Sequence, residues 1–341
     1  MKTLVWTAPR VMALDERPVP DPGPDEVLIR VTCAGICGSE LNGYLGHNSL
    51  LVPPLVFGHE FSGVIAALGS LVGADFPHLL EGQTVTVNPL AGCGRCPHCV
   101  QRLRNRCATR KLIGAHFPGG YAEYAVVPAA NAVPLPLRMT ARTGALTEPA
   151  SVGFRIGELC GEVMNEDVFI AGAGPIGLFA MQALRLRGAA RLFISDTHPA
   201  RLAMGEALGG IPVDPCSTDV IALIREVTGG RGVAAAVDAV GIEATREQCV
   251  KATRIGGTVV LSGLHDETGP FPAADIIRRE IIVRGSYCYS DEDFQNALGH
   301  LETGAMRLDP WIEEAPLEEG GVWFERLLSE PGNVSKVLLR P

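Results

Sequence analysis

Four cysteines fall within fifteen residues of this 341-residue chain, Cys93, Cys96, Cys99 and Cys107 in the run CGRCPHCVQRLRNRC, and the spacing suits one tetrahedral zinc ion. Two residues between successive cysteines let a tight loop aim its thiolates at a common centre, and the fourth closes the set. Four sulfurs leave no position for water or substrate, so this metal would hold shape and do no chemistry. Buried or disulfide-bonded thiols are the plainer alternative, but cysteines this close could cross-link only into very small loops.

The chemistry must then lie elsewhere. Cys37 in CAGICGSEL, His59 and Glu60 in FGHEFSGVIAALG and, much further along, Glu148 in ALTEPASVG offer one sulfur, one nitrogen and two carboxylates. A catalytic zinc takes three protein ligands and leaves a fourth position open, which a mixed set of this kind suits. Singly, each residue has an ordinary reading: a small buried thiol, a hydrogen-bonded imidazole, a carboxylate at a helix start. Gly58, Gly63 and Gly69 argue for more, because they surround His59 and Glu60 with positions where backbone turns sharply or packs closely.

The second half carries a dinucleotide motif. DVFIAGAGPIGLFAMQALRLRG reads as a buried strand over 167–171, then Gly172, Gly174 and Gly177 in GxGxxG spacing, then a helix that opens with Pro175 and Ile176 and carries Leu178, Met181 and Leu184. Among 40 glycines the spacing alone says little, and the strand before it and the helix after it give it meaning. The first glycine permits the tight turn, the second lets backbone approach a pyrophosphate, and the third lets helix pack on strand. The next strand, 191–195, ends in Asp196, where a carboxylate accepts from ribose hydroxyls and repels a 2′-phosphate. NAD rather than NADP is expected, with Asp196 as selector and Arg201 near the adenine ribose; the plainer role for Asp196 is a helix cap.

Strands at VAAAVDAVG, GGTVVLSGL and EIIVRGSY alternate with helices at STDVIALIREVTG and IEATREQCVKATRIG, which predicts an α/β fold on a doubly wound parallel sheet. Val240 and Leu264 follow two of these strands and are placed along the carboxyl edge, where nicotinamide would rest. The first portion differs: Pro and Gly punctuate it and short β-type runs dominate, so it should be mostly β.

Together these segments resemble the zinc-dependent medium-chain dehydrogenases, and within them the sorbitol and polyol dehydrogenase branch. The resemblance spans nearly the whole chain and is carried by CGSE at 37–40, GHEFSGVIAALG at 58–69, the four-cysteine loop, GGYAEY at 119–124 and the dinucleotide motif. It implies a GroES-like β-rich catalytic domain over 1–145 and 287–341 and an NAD-binding Rossmann domain over 146–286, with the chemistry in the cleft between them. It implies Cys37, His59 and Glu60 as ligands of the catalytic zinc. Glu148 joins them as a metal-site residue, since alcohol dehydrogenases of the family carry Cys there and the polyol branch Glu. Which of Glu60 and Glu148 touches the metal stays open. Ser39 would relay the hydroxyl proton, as the family's Ser or Thr does, with zinc polarising the substrate hydroxyl and NAD taking the hydride. Two positions depart from the pattern: Glu40 where Asp is common, and Asn42 where many alcohol dehydrogenases have a relay His.

The expected activity is oxidation of a secondary hydroxyl in a polyol, sugar alcohol or cyclitol, free or phosphorylated, to a ketone, with two zinc ions per chain. A threonine, butanediol or simple alcohol dehydrogenase is the nearest alternative, and a non-catalytic zinc and nucleotide binding module is the alternative of another class. The net charge of −9 argues against a nucleic-acid partner. The start lacks the apolar core of a signal peptide, and the uncharged stretch 168–184 is explained by the glycine motif rather than by a membrane span. Cys33, Cys160, Cys216, Cys249 and Cys288 are scattered, poor material for disulfides, so the cytoplasm is the expected compartment. Family members are commonly dimers or tetramers, and a homotetramer is expected.

Overall fold

The computed structural model describes residues 1–48 and 51–341. They form two compact units: Met1–Glu148 with Ser290–Ala305 and Asp309–Pro341, and Pro149–Tyr289 with Met306–Leu308.

The first unit is built on a β-sheet in the order Ile312–Pro316, Lys336–Arg340, Glu26–Gly35, Glu60–Leu68, Thr84–Val87, Ala132–Pro134, with Tyr124–Pro128 also paired to Glu26–Gly35. Val, Ile and Leu dominate these strands, and their inward faces meet the aromatic rings of a core in which Trp6 stacks on Phe57 with centroids 5.1 Å apart. Register converges distant segments. Antiparallel pairing sets Gly35 opposite Glu60 on one side and Leu338 opposite Gly35 on the other. Cys37, His59, Glu60 and Lys336 therefore arrive at the same end of three neighbouring strands.

This unit also contains helices that a mostly β reading leaves out, Asp291–Glu302 and Gly320–Ser329. The first is announced by a capping box, Ser290 Oγ accepting from the Asp293 amide while Asp293 accepts from the Ser290 amide, and by three acidic residues in its first turn.

The second unit holds six parallel strands in the order Ile211–Val213, Arg191–Ser195, Asp167–Ala171, Val233–Asp238, Thr253–Leu261, Ile282–Gly285. Asp167–Ala171 lies at the centre and is buried throughout, and the order reverses direction between it and Val233–Asp238, the switch point where such sheets take their ligands. One boundary differs from the sequence reading. The helix in IEATREQCVKATRIG stops at Ala252, and Thr253–Gly256 open the strand Thr253–Leu261, where β-branched Thr253 and Ile255 sit more easily than in a helix.

Candidate metal and dinucleotide sites

Cys37 N-caps the helix Gly38–Tyr44, and His59 immediately precedes the strand Glu60–Leu68. The structure brings one donor atom from each of Cys37, His59 and Glu60 within 4.8 Å of one another. Gly58 allows the close approach: its φ is +98°, and a Cβ there would lie 2.8 Å from the Gly120 amide nitrogen.

Behind His59 stands Glu40, a buried carboxylate. Its Oε1 lies 2.8 Å from His59 Nδ1 and accepts from the amides of Gly58 at 2.8 Å and His59 at 3.2 Å. Its Oε2 accepts from Tyr121 Oη at 2.7 Å and from the Cys37 amide at 3.2 Å. With Nδ1 engaged, Nε2 is the nitrogen left to bind a metal. Burial pushes the Glu40 carboxyl up, but the His59 charge and the hydrogen bonds from His59, Tyr121 and Gly58 outweigh it and hold the group below the usual carboxylate range. Burial pulls His59 down, and the Glu40 and Cys37 charges more than reverse this, holding it well above its ordinary value. Surroundings that favour a proton on the ring also favour a metal cation against it. A thiolate, an imidazole and a carboxylate converging in such a field fit zinc with an open fourth position.

Glu60 carries a second relation that sequence reasoning missed. The Lys336 ammonium, also buried, donates to Glu60 Oε1 at 2.8 Å, to Oε2 at 2.7 Å and to the Ile36 carbonyl at 3.0 Å. Burial lowers the Lys336 pKa, but the Glu60 and Cys37 charges raise it further, so the lysine keeps its proton. Glu148, on the helix Thr147–Leu159, is buried but stands outside the three-donor group, and its charge reaches Lys336. Ser39 is exposed, and its hydroxyl donates to Cys37 Sγ at 3.3 Å.

Cys93, Cys96, Cys99 and Cys107 likewise converge within 4.8 Å. The short helix Pro97–Val100 is capped by Cys96, whose sulfur accepts from the Cys99 amide. Cys93 Sγ and Cys99 Sγ are 4.0 Å apart, close to the ~3.8 Å that tetrahedral zinc–thiolate geometry requires. Backbone donors, the Cys93 amide foremost, pull the Cys107 thiol down to about 6, while burial and the Cys96 sulfur push Cys99 up to about 12. Four sulfurs so close cannot all ionise without a cation among them. The lobe is anchored by Arg104, whose Nε lies 2.8 Å from Asp291 Oδ1 on the helix Asp291–Glu302. All ten cysteines are free thiols. An apolar cavity of about 390 Å³ near Thr3, Pro20, Phe117 and Tyr124 shares no residue with either cluster.

In the second unit Gly174 N-caps the helix Pro175–Leu186, with Pro175 and Ile176 in its first turn. The three glycines differ in what a side chain would meet. At Gly172, with φ +102°, a Cβ would lie 2.7 Å from Val240 Cγ2; at Gly177 it would fall 1.8 Å from the Gly172 carbonyl oxygen; at Gly174 nothing lies within 4 Å. Gly174 thus borders open space in front of a helix N-terminus, a cradle that fits a pyrophosphate. Asp196 Oδ2 accepts from the Ala173 amide and Oδ1 from the His198 amide, both at 2.9 Å, so the carboxylate ties its own turn to the glycine loop. Arg201 Nη1 lies 3.8 Å from Asp196 Oδ2. Val240 and Leu264 sit in adjacent loops at the carboxyl ends of their strands, linked by the His265 amide donating to the Val240 carbonyl at 3.3 Å.

Residues 23–137 match the alcohol dehydrogenase GroES-like domain and residues 175–303 the zinc-binding dehydrogenase domain. The L-galactonate-5-dehydrogenase of Escherichia coli (strain K12) is 33% identical over 91% of this chain and 89% of its own length. The sorbitol dehydrogenase of Ovis aries is 30% identical over 99% and 96%. Among solved structures, a zinc-binding dehydrogenase from Sinorhizobium meliloti 1021 bound to NADP has a TM-score of 0.90 and 31% identity, covering 100% of this chain and 99% of that one. This chain belongs to the zinc-dependent medium-chain alcohol and polyol dehydrogenases, a family of zinc- and nicotinamide-dependent oxidoreductases.

Proposed function

We propose that the chain oxidises a secondary hydroxyl of a polyol, sugar alcohol or cyclitol, free or phosphorylated, to the ketone, with NAD as acceptor. The observation that carries this reading is the convergence of Cys37, His59 and Glu60 on one point, with an imidazole already oriented by Glu40. Zinc held there would supply Lewis acidity toward the substrate hydroxyl, and the dinucleotide a hydride acceptor. Cys37, His59 and Glu60 would hold the ion, Glu148 would supply further negative charge near it, and the exposed Ser39 hydroxyl next to Cys37 Sγ is placed to pass a proton to water. Cys93, Cys96, Cys99 and Cys107 hold a second, structural zinc. Two acidic side chains suit a ligand whose several hydroxyls need acceptors better than a plain aliphatic alcohol. The relatives named for L-galactonate and sorbitol act on compounds of that kind.

Gly172, Gly174, Pro175, Ile176 and Gly177 receive the pyrophosphate, Asp196 and Arg201 the adenine ribose, and Val240 and Leu264 the nicotinamide side. The Asp196 carboxylate supports NAD over NADP. The metal-binding unit is assigned to 1–145 and 287–341 and the dinucleotide unit to 146–286. We place the enzyme in the cytoplasm as a homo-oligomer, a tetramer or a dimer. No helix among the described residues is long and apolar enough to cross a membrane. The edge strand Ile282–Gly285, with Ile282 47% exposed, offers unpaired backbone to a second copy.

A spectrophotometric panel of polyols, diols and amino alcohols with NAD and with NADP tests the proposal. Reduction of NAD by at least one polyol, at a kcat/KM above that with NADP, is expected. No turnover with any secondary alcohol would overturn the activity, and a preference for NADP would overturn the role of Asp196.

A further inference from the structure

Glu40 is fixed at both ends of its carboxylate. Oε1 faces His59 Nδ1 at 2.8 Å and the amides of Gly58 and His59, while Oε2 has two donors, the Cys37 amide at 3.2 Å and the Tyr121 hydroxyl at 2.7 Å. The amides belong to the loops that carry the ligands themselves. Tyr121 is the side chain that comes from elsewhere, and it cannot move: it is fully buried, its ring meets Phe324 edge-on at 6.2 Å, and a Cβ on Gly58 would lie only 2.7 Å from its Cδ1. Its single hydroxyl proton has two acceptors in reach, Glu40 Oε2 at 2.7 Å and the Gly35 carbonyl at 3.1 Å, and the shorter contact to a charged oxygen takes it. The Glu side chain is long enough to span His59 and Tyr121 together; one methylene fewer would give up one of them.

We propose that Tyr121 is a positioning residue of the metal site: through Glu40 its hydroxyl fixes the orientation and tautomer of His59, and so sets how tightly the Cys37 site holds its metal. The proposal rests on the reading of Cys37, His59 and Glu60 as zinc ligands. Removing the hydroxyl leaves Oε2 with one weak amide donor, frees the carboxylate to rotate away from Nδ1 and loosens the imidazole. Outer partners of metal ligands typically change metal affinity by about 10–100-fold when removed.

The test is a cycle of Y121F, E40D and E40D/Y121F on the full-length holoenzyme, read by zinc release to a chromogenic chelator. The phase missing in C37S identifies release from the Cys37 site. Y121F is expected to speed that phase by about tenfold or more when residue 40 is Glu and by no more than about twofold when it is Asp, because the shorter side chain no longer reaches the ring. In cobalt-substituted protein the visible bands should shift in Y121F and not between E40D and E40D/Y121F. Equal effects in both backgrounds would mark Tyr121 as a packing residue and overturn the proposal, as would no effect in either. Failure of Y121F to fold while E40D/Y121F folds and keeps its zinc supports the coupling; failure of both assigns the hydroxyl to the fold and overturns it. Wild-type protein with no zinc at the Cys37 site would remove the underlying reading, whereas two zinc ions without coupling would remove only the role of Tyr121.

Discussion

A buried ammonium and a buried carboxylate are each costly alone, which makes Lys336 the most exposed point of the metal site to mutation. Replacing Lys336 by Met keeps the volume and, with no zinc at the Cys37 site, strands the Glu60 charge, so protein stripped of that zinc should lose about 3–5 kcal/mol in urea unfolding. A loss below about 1 kcal/mol would mean that another cation balances Glu60. Neither Lys336 nor the role of Glu40 was readable from the chain. A Lys opening KVLLR looks like a solvated strand end, and its partner lies 276 residues away, where no spacing rule applies. Glu40 was visible only as a departure from Asp, and Tyr121 only as one letter of GGYAEY. His59 and Glu60 stood out as candidates because glycines surround them, and the +98° φ of Gly58 shows the sharp backbone those glycines suggested.

At the scale of elements, the glycine turn separates fold from binding. Gly174→Ala has open space around it and an extended φ of −72°, so it should leave the melting temperature within about 1 °C while weakening NADH binding at least tenfold in a fluorescence titration. Gly177→Ala drives a methyl into the Gly172 carbonyl and should lower stability by about 2 kcal/mol or more in addition to weakening binding. Equal melting losses in the two variants would contradict this division. The parallel strands were legible because full burial makes them near-continuous apolar runs, as in VFIA and VAAAV. The helix end at Ala252 was not, because an amphipathic pattern ran into TRIG without a glycine stop before it. The helix Asp291–Glu302 escapes that reading although Ser290 and Asp293 mark its start, because the resemblance assigns the stretch to a β-rich domain.

Across the whole molecule, the two donor clusters are proposed to hold metals of different roles, and the two sites should be separable. Cys96→Ser removes one thiolate from the closed lobe, so zinc content should fall from two per chain to one by plasma mass spectrometry, with the Cys37 site still loaded. The melting temperature should drop several degrees as the segment 92–107 loses its centre. Retention of two ions would place the second metal elsewhere. The sheet order was deducible in class but not in detail, since alternation of strand and helix predicts parallel pairing while the neighbours of Asp167–Ala171 depend on which crossovers pack.

The strand Lys336–Arg340 closes against Glu26–Gly35 only after the entire dinucleotide unit has been written into the chain. During synthesis the counter-ion of Glu60 therefore emerges only after the whole dinucleotide unit. Until then Glu60 lacks the ammonium that pairs with it, so the buried ion pair beside Cys37 and His59 is among the last contacts of this unit that can form.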